Sequence, residues 1–171
     1  QAMISWILAE KGSLVRPPGS FNNHVGLPRT ILSAPPRTVY LVLELGSNHR
    51  GEISRLSQIS RPEFAVLTSV SEGHLEGLGD ISGVIAEKIS IFDHLRAGGI
   101  GVVHHDARIL SRMKLSRKKF RTFGLHKDAD LRATDLQQDP VRFKVEGVPF
   151  RLQLLGEWNA ENALAAISVG L

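Results

Sequence analysis

Three near-continuous apolar runs, "TVYLVLEL" (38–45), "EFAVLTSV" (63–70) and "IGVVHH" (100–105), recur along the chain with helix-like stretches between them. Runs of this length without strict alternation suit strands buried on both faces, which belong to parallel sheets covered by helices. "GEISRLSQIS" (51–60) and "ISGVIAEKISIFDHLRAGG" (81–99) supply the intervening helices, the second stopping at Gly98–Gly99, and "RTFG" (121–124) reads as a short fourth strand. The expected fold is therefore α/β, mainly a parallel sheet flanked by helices.

Before the first run, "QAMISWILAEKG" places Met3, Ile4, Ile7 and Leu8 at helical spacing with Gly12 as a stop. A Pro/Gly loop, "VRPPGSFNNHVGLP", and a short helix near 25–33 follow. After about residue 130 the alternation tightens. "LRATDLQ", "VRFKVEG" and "PFRLQLLG", with a turn at Glu146–Gly147, predict a small antiparallel meander over about 129–155. A closing helix over about 158–171 follows the meander, and the parallel part occupies about 1–125. Both ends fall inside helical patterns, so the chain is expected to be part of a longer protein, its first strand cut away.

With 171 residues and 42% hydrophobic content the chain can bury one substantial core. It has no cysteine, which excludes disulfides and thiolate metal sites and points to the cytoplasm. No apolar run is long enough for a membrane span. The net charge of +4 is concentrated in Arg112, Lys114, Arg117, Lys118, Lys119 and Arg121, with one aromatic, Phe120, among them. That composition reads as a solvated helix end and loop, and no nucleic-acid partner is expected.

Parallel strands bind ligands beyond their carboxyl ends. The rule singles out Glu44, which ends the first run, and the Thr68–His74 segment that ends the next. Glu44 and His74 could share a hard cation, or Glu44 could cap a helix or pair with a base. One helix beyond His74 stands Lys88, an ordinary cation unless something changes its charge; as a solvated helix lysine it needs no histidine nearby. His104 and His105 read as incidental strand-end residues.

Four stretches carry a resemblance: "GSFNNHVGLPRTIL" (19–32), "LELGSNHRGEI" (43–53), "GHLEGLGDISGVIAEK" (73–88) and "GEWNAENALAA" (156–166). Together, and in this order, they resemble the central ATP-binding domain of the Mur ligases, and the likeness runs the length of the chain. The paired asparagines and the "NHxGEI" run are most similar to the member acting on UDP-MurNAc-tripeptide and D-Ala-D-Ala. The resemblance implies ATP and two Mg2+ ions as cofactors. It also implies that Lys88 is carbamylated, which turns the cation into an anionic oxygen ligand of the kind magnesium prefers. By the same likeness Lys88 and His74 hold one ion and Glu44 the other, and Lys88, His74 and Asn23 act at the reaction centre, with Asn22 and His24 beside it. Capping of the short helix is the other reading of these three. Asn159 and Asn162 match the family's adenine-side asparagines, although Asn159 could simply cap its helix.

The sequence departs from the family pattern in three places. It contains no G-x-x-x-x-G-K-[ST] phosphate loop, which the resemblance places just upstream of residue 1. Ser69 stands where an asparagine is usual, and Trp158 where a histidine usually precedes Asn159. Amino- and carboxy-terminal domains are also expected to lie outside these residues. The implied activity is ATP-dependent joining of a carboxylate to an amine through an acyl phosphate. Another Mur or folylpolyglutamate-type ligase and a degenerate, non-catalytic nucleotide-binding scaffold are the alternatives.

Overall fold

The computed structural model describes residues 1–71, 75–113 and 120–171. His74 and the basic residues Lys114, Arg117, Lys118 and Lys119 lie outside them. The elements run α1 (Ala2–Ala9), β1 (Leu14–Val15), α2 (Gly26–Leu32), β2 (Tyr40–Leu41), α3 (Glu52–Ser60), β3 (Phe64–Leu67), α4 (Leu75–Leu78) and α5 (Ile81–Ile89). A 3-10 turn at Ser90–Phe92 leads to β4 (Ile100–His104), α6 (Ala107–Leu110), β5 (Phe120–Gly124), β6 (Leu131–Arg132), β7 (Thr134–Gln138), β8 (Val141–Val145), β9 (Val148–Arg151) and α7 (Glu157–Gly170).

The main sheet is parallel, in the order β3-β4-β5-β6. Its central strand shows why the apolar runs are unbroken. Val102 and Val103 are both fully buried, yet they point to opposite faces. Val102 joins Phe123, Leu131, Phe143 and Leu164 in a core shared by the sheet, the meander and α7. Val103 packs with Leu67, Leu78, Val84, Ile85 and Ile109 under α4–α6. Burying each such side chain contributes roughly 1.5–3 kcal/mol, so the strand is held from both sides.

The first run behaves differently from expectation. Only Tyr40–Leu41 forms strand, paired in parallel with Leu14–Val15 in a separate two-stranded sheet. Val39 and Leu41 are 61% and 42% exposed, whereas Val42 is buried. One face of this strand is open, and the "VRPPG" loop begins with a paired residue, Val15. The helix expected over 81–99 stops as an α-helix at Ile89, and Gly98 turns the chain with φ 79° before β4.

The meander is also shorter than its pattern suggested. Leu131–Arg132 pairs in parallel with Phe123–Gly124 and extends the main sheet. The antiparallel sheet is β7-β8-β9, with an irregularity between Thr134 and Gln137. Buried Val141, Phe143 and Val145 alternate with exposed Arg142 and Lys144, and Phe143 stacks on its cross-strand partner Phe150 with centroids 5.4 Å apart. Glu146 and Gly147 make the turn, both at positive φ (49° and 83°), as the sequence led one to expect of a two-residue hairpin.

Candidate active site at the strand ends

Glu44 lies just beyond β2 and is exposed. Its carboxylate does not stand alone. The side-chain amide of Asn22 donates to Glu44 Oε1 at 3.1 Å, and the Asn22 carbonyl accepts from Gly46 N–H at 2.8 Å. A Cβ on Gly46 would come within 2.8 Å of Asn22 Cγ, so the absence of a side chain there lets the two segments close. Carboxylate oxygen oriented by an amide is suited to a hard divalent cation.

Asn23, the neighbour, does something else. Its Oδ1 accepts from Val25 N–H at 3.1 Å and Gly26 N–H at 2.9 Å, which is the capping of α2 that the sequence left open. Gly26 permits this close approach, because a Cβ there would lie 2.7 Å from Phe21 Cα. His24 is exposed.

Lys88 sits in the last turn of α5, half-buried, and makes no side-chain hydrogen bond or ion pair among the described residues. The residue before it explains how α5 is placed. Glu87 is only 5% exposed, and its two oxygens accept from Gly51 N–H at 2.7 Å and Ile53 N–H at 2.8 Å. Gly51 precedes α3 in the left-handed region and has no side chain with which to cap it. A carboxylate from another helix therefore takes over the cap, and the positive end of the α3 dipole faces it. Arg50 adds a hydrogen bond to the Leu78 carbonyl at 3.2 Å, and Asp80 caps α5 through Gly83 N–H at 2.8 Å. The end of α5 that carries Lys88 is thus tied to the start of α3. The sequence did offer a signal for Glu87: it stands three residues after the buried Val84, on the apolar side of the helix.

The closing helix α7 begins after Gly156, not at Asn159. Asn159 is not the helix cap; its Nδ2 donates back to the Leu155 carbonyl at 2.7 Å. Asn162 is exposed one turn away, and Trp158 is 69% exposed. His104, which looked incidental, ties the end of β4 to α7 through a 2.8 Å contact with Glu161. His105 stacks on His126 with centroids 4.5 Å apart. Ser69 is exposed after β3. Among the described residues no group of three or more His, Asp or Glu converges in a metal-holding arrangement. His74, the expected partner of Lys88, lies outside those residues.

Residues 1–170 match the model of the Mur ligase middle domain. The chain belongs to the Mur ligase family. Its relatives include the UDP-N-acetylmuramoyl-tripeptide–D-alanyl-D-alanine ligases of Bacillus subtilis, 33% identical over 98% of the chain, and of Escherichia coli, 32% identical over 99%. The chain spans 37% and 39% of those proteins. Among solved structures, MurF from Acinetobacter baumannii superposes with a TM-score of 0.88 at 28% identity, over 98% of this chain and 38% of that one. MurF from Thermotoga maritima, solved in complex with ADP, superposes with a TM-score of 0.82 at 27% identity, over 98% and 40%. The parallel sheet, its helical layers and the small antiparallel sheet are therefore a Mur ligase middle domain. Among the described residues no helix is long and apolar enough to cross a membrane.

Proposed function

We propose that the protein carrying this domain is an ATP-dependent ligase of peptidoglycan precursor synthesis that joins D-Ala-D-Ala to UDP-MurNAc-tripeptide in the cytoplasm. One observation carries the reading: the likeness to the Bacillus subtilis tripeptide–D-alanyl-D-alanine ligase covers 98% of the chain, all four motif segments included. In this reading ATP phosphorylates the tripeptide carboxylate, the dipeptide amine attacks the acyl phosphate, and inorganic phosphate leaves. The phosphate loop and two further domains belong to the remainder of the protein.

The residues present fit a divalent cation. Glu44 offers a hard, exposed oxygen whose orientation Asn22 sets, and Lys88 is half-buried without a carboxylate partner among the described residues. Glu44 would hold one Mg2+, and His74 with carbamylated Lys88 the other. Bound magnesium would supply positive charge against the transferring phosphoryl group. The chain's own part is positional. Glu87 holds α5 to the start of α3, Asn22 holds Glu44, and Asn23 shapes the α2 start beside them. Asn159 and Asn162 face the adenine side.

The test is a phosphate-release assay on the full-length protein. Turnover that requires both UDP-MurNAc-tripeptide and D-Ala-D-Ala supports the proposal. Turnover on a different acceptor would move it to another ligase of the family, and no turnover would favour a non-catalytic scaffold.

A further inference from the structure

We propose that the cleft at the start of α5, gripped by Arg50 and Arg112, binds a phosphate dianion, free or as the ester of a small molecule. The proposal goes beyond the ligase reading and does not depend on it, since the cleft uses none of Glu44, Lys88, Asn159 or Asn162. Arg50 fills the open position of the "NHxGEI" run, and Arg112 lies outside all four motif stretches.

The two arginines come from distant segments, Arg50 from the loop before α3 and Arg112 from the turn after α6. Both reach the first turn of α5. Arg112 donates through Nη2 to Ser82 Oγ at 2.8 Å, and Arg50 donates through Nη2 to the Leu78 carbonyl at 3.2 Å. Gly83, next to Ser82, leaves that carbonyl accessible, because a Cβ there would collide with Leu78 O and press on Arg50 Nη2 at 3.4 Å. Adjacent residues of one helical turn thus gather both guanidiniums, which line a single cleft of about 480 Å³.

Charge decides what the cleft takes. Neither arginine makes an ion pair among the described residues; each gives an N–H to a neutral oxygen. Two carboxylates line the cleft, Asp80 and Glu87, and each is set against a helix start. Glu87 is buried, its oxygens accepting from Gly51 and Ile53 N–H, and Asp80 Oδ1 accepts from Gly83 N–H at 2.8 Å. Those carboxylates offset the positive ends of α3 and α5. The two guanidiniums keep their remaining donors, and their charge, for a ligand.

A planar carboxylate fills one guanidinium fork. A tetrahedral phosphate has oxygens for two forks that arrive from different elements. Clefts of about 300–1,000 Å³ hold small organic molecules, so there is room here for an ester as well as for the bare ion. Bound there, the dianion would link the loop before α3 to the end of α6 across the start of α5.

The experiment titrates the 171-residue chain with inorganic phosphate, glycerol 3-phosphate, sulfate and acetate, the ionic strength held constant with sodium chloride. NMR follows the Nε–H signals of Arg50 and Arg112 and the backbone amides of Gly51, Ser82 and Gly83. Phosphate and sulfate should shift them saturably, and acetate should bind several-fold more weakly. Tighter binding of glycerol 3-phosphate than of phosphate assigns the cleft to an ester, and the reverse order assigns it to the free ion. Arg50→Gln and Arg112→Gln should each weaken phosphate binding about tenfold, the loss expected for one charge-assisted contact. Arg50→Lys and Arg112→Lys should retain part of it. The amide of Val103, buried in the main sheet, should stay in place throughout and reports an intact fold. Shifts no larger than chloride alone produces would overturn the proposal, and so would shifts that survive the double change to glutamine.

Discussion

Asn22 holds Glu44 by two bonds that work together: its amide meets Oε1 at 3.1 Å, and its carbonyl takes the Gly46 N–H at 2.8 Å. The second bond fixes the backbone that the first one needs. In the full-length protein, with the proposed ligase activity as readout, Glu44→Ala should lower turnover by about a hundredfold, the order expected when electrostatic stabilisation of transition-state charge is lost. Asn22→Ala should cost less, about tenfold, the low end for losing a partner that orients a metal ligand. It should also raise the magnesium concentration needed for half-maximal rate. Kinetics across a magnesium series check both, and an unchanged magnesium requirement in Asn22→Ala would count against a positioning role.

Lys88 can serve as a magnesium ligand only as a carbamate, because neither the ammonium nor the neutral amine is an oxygen donor. Lys88→Ala in the full-length protein should abolish activity, and small carboxylates in solution should partly restore it by filling the lost oxygen position. Added amines should not. Full activity without any additive would make Lys88 a plain helix lysine.

Glu87→Ala should destabilise the chain by about 3 kcal/mol, because it leaves two N–H groups at the start of α3 without their acceptor. Glu87→Gln keeps one acceptor and should cost about 1 kcal/mol. Urea denaturation separates the two, and equal losses would mean that packing rather than hydrogen bonding holds α3 to α5.

Glu52 is held below its ordinary carboxylate value of 4.5, first by the Asn48 N–H and then by the His49 N–H that donate to it. A folded-state value below the unfolded one means that its contribution is present above about pH 4.5 and is lost as pH falls through the folded value. Glu52→Gln should therefore be less stable than the parent at neutral pH, and the two melting curves should converge in acid. The effect is small because the side chain is 39% exposed. A gap that stays constant between pH 7 and pH 3 would remove the charge from the explanation.

Much of the fold was legible in the order of the residues, because its signals are local. The runs at 63–70 and 100–105 declare buried strands, since β3 and β4 meet apolar neighbours on both faces. Gly147 and Gly156 stand where the backbone takes positive φ. The family motifs are likewise short strings that need no partner to be recognised. Glu44, Lys88, Asn159 and Asn162 are candidates taken from those strings, and their surroundings are not written in them.

What only the tertiary structure decided are the pairings between distant segments. Leu14–Val15 is too short to show a strand period, and it becomes a strand only when Tyr40–Leu41 lies beside it. The two asparagines at 22 and 23 are chemically identical, yet one reaches Glu44 across 22 residues and the other caps its own helix. Glu87 caps a helix 34 and 36 residues away. A hydrogen bond of this kind depends on where two segments come to rest, and that is set by the packing of the layers between them. Period and turn chemistry act within a dozen residues, so the sequence by itself determined the longer elements of the main sheet and the motif strings. The layers determined which of those residues meet.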